Sequence, residues 1–313
     1  MRPFVTSAVM AALALTPNFM VHAAPAVQKP AQQQPQKAQP PPRELGKPQT
    51  KEEYDAYVAI TQVVDPAQRA QLTEKYIQDF PNSGLTPYVH QIAATTYQQM
   101  NNFEKLAEHG EATLQELPDS PVILTLLANG YAERGKPDMA LERSDKALAS
   151  INALQVPAQM DPEQFKKEKD NLLATVYSSM GIAYLAKATD ERAKKAAEPK
   201  TDPPAGESGE KPKDAPDPNL EAAIVNLNKA IDLNPKDDYS YFRLGIVFTL
   251  KNDAENAIDA YAKAVAVGGA VTDNAKENLE KVYKLTHENS LDGLAERISK
   301  AKAAVEGSGM APM

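Results

Sequence analysis

The 313-residue sequence contains no cysteine and no tryptophan, and only 6% of its residues are aromatic. Without cysteine the chain has no disulfides, no thiol catalysis, no thiolate metal site and no lipidated cysteine of the bacterial lipoprotein type. The scarcity of aromatic residues favours helices, since strands are enriched in β-branched and aromatic side chains. A basic surplus is also missing: the formal net charge is −8, so nothing indicates a nucleic-acid partner.

No apolar run approaches the roughly 20 residues that a helix needs to span a bilayer. The nearest is residues 5–15, which follow Arg2 and precede the small-residue pattern Val21-His22-Ala23. This arrangement predicts a secretory signal peptide over residues 1–23, and hence export to the periplasm or the extracellular space. An uncleaved anchor or a plain N-terminal helix is the alternative.

Two stretches are rich in proline. Residues 24–50 consist largely of proline and glutamine, and residues 187–218 combine prolines with charges of both signs. Both contain too little apolar surface to offset the entropy of ordering, which predicts a disordered linker and a solvated segment respectively. The rest, residues 51–306, has a helical pattern before a flexible tail at 307–313. Asp65, Asp161 and Asp217 each precede a proline, which is typical of a helix start.

A repeated pattern appears in the helical part. Residues 238–271 combine an aromatic residue, a Leu-Gly pair and a second aromatic with a small-aromatic-small second half: Tyr241, Leu244, Gly245, Phe248, Ala257, Tyr261 and Ala264. This resembles the tetratricopeptide repeat. In that repeat small residues let two helices approach closely, while aromatic residues fill the gaps between helix pairs.

The same spacing recurs upstream. Tyr177, Gly181 and Tyr184 match a first helix, and Ala223 and Ala230 match its second helix. The surplus residues between them predict that the proline-rich segment at 187–218 is inserted between the two helices of one repeat, 174–237. Two earlier repeats follow the same pattern. One spans residues 121–154 and includes Tyr131 and Ala140, and the other spans residues 87–120 and includes Tyr97. Residues 50–83 fit weakly as an N-terminal cap, and 272–306 are predicted to form C-terminal capping helices.

The resemblance implies an all-α fold: a right-handed superhelical solenoid of antiparallel helix pairs with a proline-rich tether and one proline-rich insertion. An irregular helical bundle is the alternative. In this family the first helices line a concave groove that receives a peptide or protein. When the repeats are aligned with one another, the positions that would line this groove are Tyr88, Gln91, Thr95, Thr125, Asn129, Ser178, Ile182, Tyr239, Phe242, Ile246 and Thr249. Alternatively, these residues pack against the N-terminal region or an inserted segment.

Some members of the family hold a peptide C-terminus with a clamp of lysine, arginine and asparagine residues. Here only Asn129 and Arg243 occupy comparable positions, which argues against that specificity. Catalytic, cofactor and metal sites are not indicated. His90 takes a position where the repeat usually has an aromatic residue, and no suitably spaced third ligand accompanies His90 and His109. The sequence shows no phosphate-binding glycine loop and no nucleophile elbow.

These patterns predict a non-catalytic protein-protein interaction scaffold of the cell envelope with an unidentified peptide or protein partner. No nucleic acid is expected as a partner, and no transmembrane segment is expected after signal cleavage. A self-associating structural solenoid, in which capping faces or edges pair between copies, is the main alternative, and an enzyme is a third. The sequence does not determine the partner or the oligomeric state.

Overall fold

The computed structural model describes residues 43–197 and 217–308. The predicted signal peptide, most of the predicted linker and residues 198–216 of the predicted insertion lie outside this part. Within the two ranges the chain is all-helical and contains no strand. Neighbouring helices pack as pairs, and short turns join them except across residues 198–216, which lie outside the described part, so the predicted all-α fold class is confirmed. No helix among these residues is both long enough and apolar enough to cross a membrane.

The described residues form two compact units. The N-terminal unit, residues 43–117, contains α1 (Lys51–Gln62), α2 (Pro66–Asp79), α3 (Thr86–Gln99) and α4 (Phe103–Glu116). The C-terminal unit, residues 118–197 and 217–308, contains α5 (Pro121–Glu133), α6 (Pro137–Ala153), α7 (Pro162–Ala197), α8 (Pro218–Leu233), α9 (Asp238–Leu250), α10 (Ala254–Val267), α11 (Thr272–Thr286) and α12 (Leu294–Ser308).

Three helices begin at the predicted aspartate-proline steps. The Asp65 carboxylate accepts a hydrogen bond from the Gln68 backbone N–H at 2.7 Å. Asp161 and Asp217 each accept two backbone N–H groups of the first turn that follows. These bonds satisfy donors that have no partner within the helix. The helix starts predicted from these three sites are therefore confirmed.

Residues 43–50 form a short segment that we name the strap. Its Arg43 Nε donates to the Ser83 carbonyl at 2.9 Å, and its Gly46 N–H donates to the Gly84 carbonyl, also at 2.9 Å. Gly84 permits this approach, because a Cβ there would overlap the carbonyl oxygens of Glu44 and Lys47. The strap therefore belongs to the folded N-terminal unit. The linker predicted for 24–50 is wrong over these residues, since average composition does not reveal specific backbone contacts.

The C-terminal unit pairs α5 with α6, α7 with α8 and α9 with α10, and α11 and α12 both pack on α10. Helix α7 is 36 residues long and continues to Ala197. The predicted insertion therefore does not begin at 187: residues 187–197 are helical. They are mostly alanine, lysine, glutamate and arginine, which favour helices, and the next proline in the sequence is Pro199.

Glycines mark the closest approaches between paired helices. A Cβ on Gly181 of α7 would lie 2.5 Å from Leu227 Cγ of α8, and one on Gly245 of α9 would overlap the Tyr261 ring of α10. Among the residues assigned to repeat packing, Tyr177, Tyr184 and Phe248 are half-buried. The others are buried: Tyr97, Tyr131, Ala140, Gly181, Ala223, Ala230, Tyr241, Leu244, Gly245, Ala257, Tyr261 and Ala264.

Candidate protein-binding surface

In the C-terminal unit the first helices of successive pairs are neighbours: α5 contacts α7, and α7 contacts α9. These helices carry eight of the residues predicted to line a groove. Helix α5 carries Thr125 and Asn129, and α7 carries Ser178 and Ile182. Helix α9 carries the remaining four, at a spacing of three or four residues that keeps them on one helix face: Tyr239, Phe242, Ile246 and Thr249.

Three of the eight are covered. Thr125 is 0% exposed, and its hydroxyl donates to the Pro121 carbonyl within α5. Ser178 and Ile182 on α7 are also buried, and Ser178 Oγ lies 3.0 Å from Ser240 Oγ of α9. A ligand cannot reach these side chains in this structure, so including them in the groove is wrong. Helix α7 contacts both α5 and α9, and helical spacing alone cannot tell a covered stripe from an open one.

Of the five remaining residues, the four on α9 define what we name the α9 face: Tyr239, Phe242, Ile246 and Thr249. The first three are half-buried and Thr249 is exposed. Phe242 packs against the Tyr261 ring at a centroid distance of 5.9 Å, and Ile246 packs on the same core. Each apolar side chain is thus anchored in the core on one side and accessible on the other. Asn129 of α5 is likewise half-buried.

A buried polar cluster holds α9 in place. Asp237, the residue before α9, accepts a hydrogen bond from the Ser240 hydroxyl at 2.6 Å and another from the Ser240 backbone N–H at 3.2 Å. Ser240 in turn contacts Ser178 of α7. Burial raises the pKa of the Asp237 carboxyl, and its hydrogen bonds with Ser240 oppose that rise. The cluster joins the start of α9 to α7 and so helps to orient the α9 face.

Arg243, next to Phe242, forms an ion pair with Glu133 of α5 at 3.2 Å. This pair joins residues 110 positions apart in the chain. In grooves that hold a peptide C-terminus with a clamp of lysine, arginine and asparagine residues, an arginine at this position is available to the peptide carboxylate. Here its charge is balanced by Glu133, one helical turn beyond Asn129. The sequence alone did not reveal this neutralisation, because Glu133 lies outside the predicted groove stripe.

The N-terminal unit carries the other predicted groove residues, Tyr88, Gln91 and Thr95, all half-buried on α3. The Tyr88 hydroxyl would lie 3.5 Å from a Cβ placed on Gly46 of the strap. The strap therefore borders the start of this stripe. For Tyr88 the alternative that these residues pack against the N-terminal region agrees with the structure. Thr95 donates its hydroxyl hydrogen to the Ile92 carbonyl of its own helix at 2.9 Å.

Helices α3 and α4 bring together His90, which takes an aromatic position of the repeat, and His109. His90 Nδ1 and His109 Nδ1 are 2.9 Å apart, and His109 Nε2 lies 3.2 Å from Glu74 Oε1 on α2. Within residues 43–197 and 217–308, no three histidine, aspartate or glutamate side chains are grouped so that they could hold a metal ion. The histidines are 19 positions apart on facing helices, and a helical-hairpin alignment would have revealed their proximity.

No protein-family model matches the sequence, and no curated protein matches it. Among solved structures, the chain is similar to PilW, described as a widely conserved type IV pilus biogenesis factor, with 13% identity over 82% of this chain and 94% of PilW and a TM-score of 0.49. It is also similar to MamA, with 18% identity, 74% and 97% coverage and a TM-score of 0.43. A tetratricopeptide protein of Thermus thermophilus, TTC0263, shares 17% identity, with 72% and 100% coverage and a TM-score of 0.42.

Proposed function

We propose that this protein is a non-catalytic protein-protein interaction scaffold of the cell envelope, and that a peptide or protein partner binds on the α9 face. One observation carries the proposal: Tyr239, Phe242 and Ile246 lie on one face of α9, each only half-covered by its own fold. Aromatic and aliphatic side chains anchored in this way are typical of the energetically dominant centre of a protein interface.

The charge around the α9 face restricts the kind of partner. Arg243 is already paired with Glu133 at 3.2 Å, so a partner carboxylate would have to compete with an existing intramolecular bond. Thr249 and Asn129 supply uncharged polar groups. We therefore propose that the partner contributes an apolar or aromatic segment and not a terminal carboxylate.

Export and the absence of catalysis are parts of the same proposal. The pattern of residues 1–23 supports secretion to the periplasm or beyond, where envelope proteins assemble. The sequence has no cysteine and lacks the phosphate-binding and nucleophile motifs that would suggest a reaction. A scaffold needs none of these groups, since it acts by holding its partner.

Site-specific photo-cross-linking in cells tests the binding surface. A photoreactive residue at position 246 should give a discrete adduct. One at Val225 should not, because Val225 is exposed on α8, which is the second helix of its pair and does not carry the α9 face. The matched substitutions Ile246→Lys and Val225→Lys then test affinity for the captured partner. Ile246→Lys should weaken binding at least tenfold with an unchanged helical circular dichroism spectrum. Equal adducts and equal affinities at the two positions would refute the α9 face.

A self-associating structural role is the second candidate, and one observation favours it. Leu285 of α11 is 85% exposed, and Leu291 in the following turn is 38% exposed. A terminal helix pair with outward leucines could join two copies of the chain. Sedimentation analysis of the wild type and Leu285→Lys distinguishes the two functions: self-association predicts an oligomer that the substitution dissociates.

A further inference from the structure

In the N-terminal unit the contact between α3 and α4 includes two imidazole rings. His90 and His109 face each other through their Nδ1 atoms at 2.9 Å, with ring centroids 5.2 Å apart. His109 is only 2% exposed, and the Tyr97 ring stacks on it at a centroid distance of 5.4 Å. A nitrogen-nitrogen distance of this length is a hydrogen bond, and such a bond requires a proton on only one of the two nitrogens.

The surroundings assign that proton. Burial acts to raise the pKa of Glu74, but hydrogen bonds from Tyr97 and His109 and the positive charges of protonated His109 and of Lys105 together keep it below its usual value. Glu74 is therefore ionised at neutral pH and accepts a hydrogen bond from His109 Nε2–H at 3.2 Å. A neutral His109 then has a bare Nδ1, which accepts a hydrogen bond from His90 Nδ1–H.

The number of protons on the pair decides whether this bond exists. With both rings neutral, the chain runs from His90 through His109 to Glu74 without a break. One added proton can be accommodated on His90 Nε2, since the Nδ1–H donor is unaffected. A second added proton puts an N–H on both Nδ1 atoms, which places two N–H groups and two positive charges against each other. The rings must then separate.

We propose that the His90–His109 pair is a proton-operated switch that holds α3 against α4 at neutral pH and releases this contact on acidification. The switch is a property of the N-terminal unit and does not depend on the proposed binding at the α9 face. It lies on α3, the helix that also carries Tyr88, Gln91 and Thr95.

Charged and titratable groups surround the pair on every element packed against it. Glu74 projects from α2, and Tyr97 from α3 donates to Glu74 at 2.8 Å. On α4, Lys105 pairs with Glu74 and Glu108, while Glu116 pairs with Arg43 of the strap. Burial lowers the pKa of His90 and the neighbouring His109 lowers it further, and this outweighs the opposing effect of the surrounding carboxylates, Glu74, Glu116 and Glu108.

The direction of the pH effect follows from proton counting. In the unfolded chain both histidines take up a proton near pH 6.5, whereas the folded pair keeps its hydrogen bond only with one added proton or none. Below about pH 6.5 the opened state therefore binds more protons than the closed state. For each additional proton that the opened state binds, the equilibrium constant for opening increases up to about tenfold when the pH falls by one unit. Stability that is present at neutral pH is lost as the pH falls.

Two measurements on the full chain test the switch. Nitrogen-15 NMR of the imidazoles should show one Nδ1–H shared between the two rings at pH 7.5 and two well-separated titration steps. Hydrogen-exchange mass spectrometry, corrected for the intrinsic exchange rate, should show at least tenfold lower protection in residues 86–116 at pH 5.5 than at pH 7.5. His90→Gln should abolish most of this loss, because glutamine keeps a hydrogen-bond donor without titrating.

His287→Gln is the matched control. His287 stacks on Tyr283 in the C-terminal unit at a centroid distance of 3.7 Å, so its removal should leave the loss in residues 86–116 intact. The proposal is overturned if both imidazoles of the wild type titrate together near their ordinary pKa, or if His90→Gln loses the same protection as the wild type. If His90→Gln does not fold, the wild-type NMR titration alone decides.

Discussion

In the C-terminal unit the tightest helix contacts are made by residues with little or no side chain. Gly181 meets Leu227 and Gly245 meets Tyr261 with no room for a Cβ. In the N-terminal unit a buried polar contact joins α1 to the turn before α3. Glu53 is 6% exposed and Ser83 only 1%, and the Ser83 hydroxyl donates to Glu53 at 2.8 Å. Both units consist of helix pairs, but these contacts in the C-terminal unit depend on side-chain size and those in the N-terminal unit on hydrogen bonds.

This difference changes how each unit responds to mutation. Apolar packing against a glycine is insensitive to pH but fails when volume is added, because the backbones cannot move apart without losing the rest of the contact. A buried polar network tolerates small changes of shape but not the loss of a partner, since an unsatisfied buried group is costly. The following predictions test this contrast, from the largest expected effect to the smallest.

Gly245→Leu should produce the largest loss of stability in the C-terminal unit. Its side chain would have to occupy the position of the Tyr261 ring, and overpacking of this kind costs about 1–3 kcal/mol or more. Urea unfolding of the C-terminal unit, followed by circular dichroism, measures the change. Gly307→Leu is the control, since nothing lies within 4 Å of a Cβ there. Wild-type stability of Gly245→Leu would mean that the repeat frame is misplaced.

Gly84→Ala should detach the strap without unfolding the helices. The added methyl group would overlap the carbonyl oxygens of Glu44 and Lys47, which are backbone atoms of the strap and cannot rotate away. Faster tryptic cleavage after Arg43, with an unchanged helical spectrum, is the expected result. Gly135→Ala tests for a non-specific effect, because a Cβ there meets nothing within 4 Å. Unchanged cleavage in Gly84→Ala would count against the strap contact.

Glu53→Ala should destabilise the N-terminal unit by about 1–3 kcal/mol, the usual cost of leaving buried polar groups unsatisfied. Glu53 Oε2 accepts hydrogen bonds from both the Gln49 N–H and the Ser83 hydroxyl at 2.8 Å. Alanine removes this acceptor and leaves both donors without it. Glu52→Ala, at the neighbouring exposed position, should be close to neutral. Equal unfolding midpoints for the two variants would contradict a role for the buried network.

Breaking the Arg243–Glu133 pair should have the smallest effect. Both side chains are partly exposed at 26% and 28%, and ion pairs of this kind contribute about 0–1 kcal/mol. A double-mutant cycle with Arg243→Gln and Glu133→Gln measures the coupling. A coupling energy well above 1 kcal/mol would show that this ion pair, and not small-residue packing alone, holds the first helices of the C-terminal unit together.

Much of the fold was predictable because it depends on local chemistry. Aspartate before proline marks a helix start wherever it occurs, and the structure shows the expected caps at Asp65, Asp161 and Asp217. The end of α7 was predicted less well. Residues 187–197 have a helix-forming composition but adjoin a proline-rich stretch, so an average over the whole segment concealed them.

The candidate site was predictable only in part. Helical spacing predicts which residues share a face, as for Tyr239, Phe242 and Ile246, but not whether another helix covers that face. Thr125, Ser178 and Ile182 have the same spacing and are buried. The Arg243–Glu133 pair joins residues 110 positions apart, and no local rule connects them. The contact between His90 and His109 depends on how α3 pairs with α4.

By itself the sequence determined the helical class, the helix starts at its aspartates and the glycines that allow close pairing. These depend on backbone geometry and side-chain size within a few residues, and tertiary context need not alter them. Only the tertiary structure decided that the strap at residues 43–50 is folded, which part of the groove stripe stays open and that two histidines lie within hydrogen-bonding distance. Each of these depends on distances between separate segments, which are set by the packing of the whole unit.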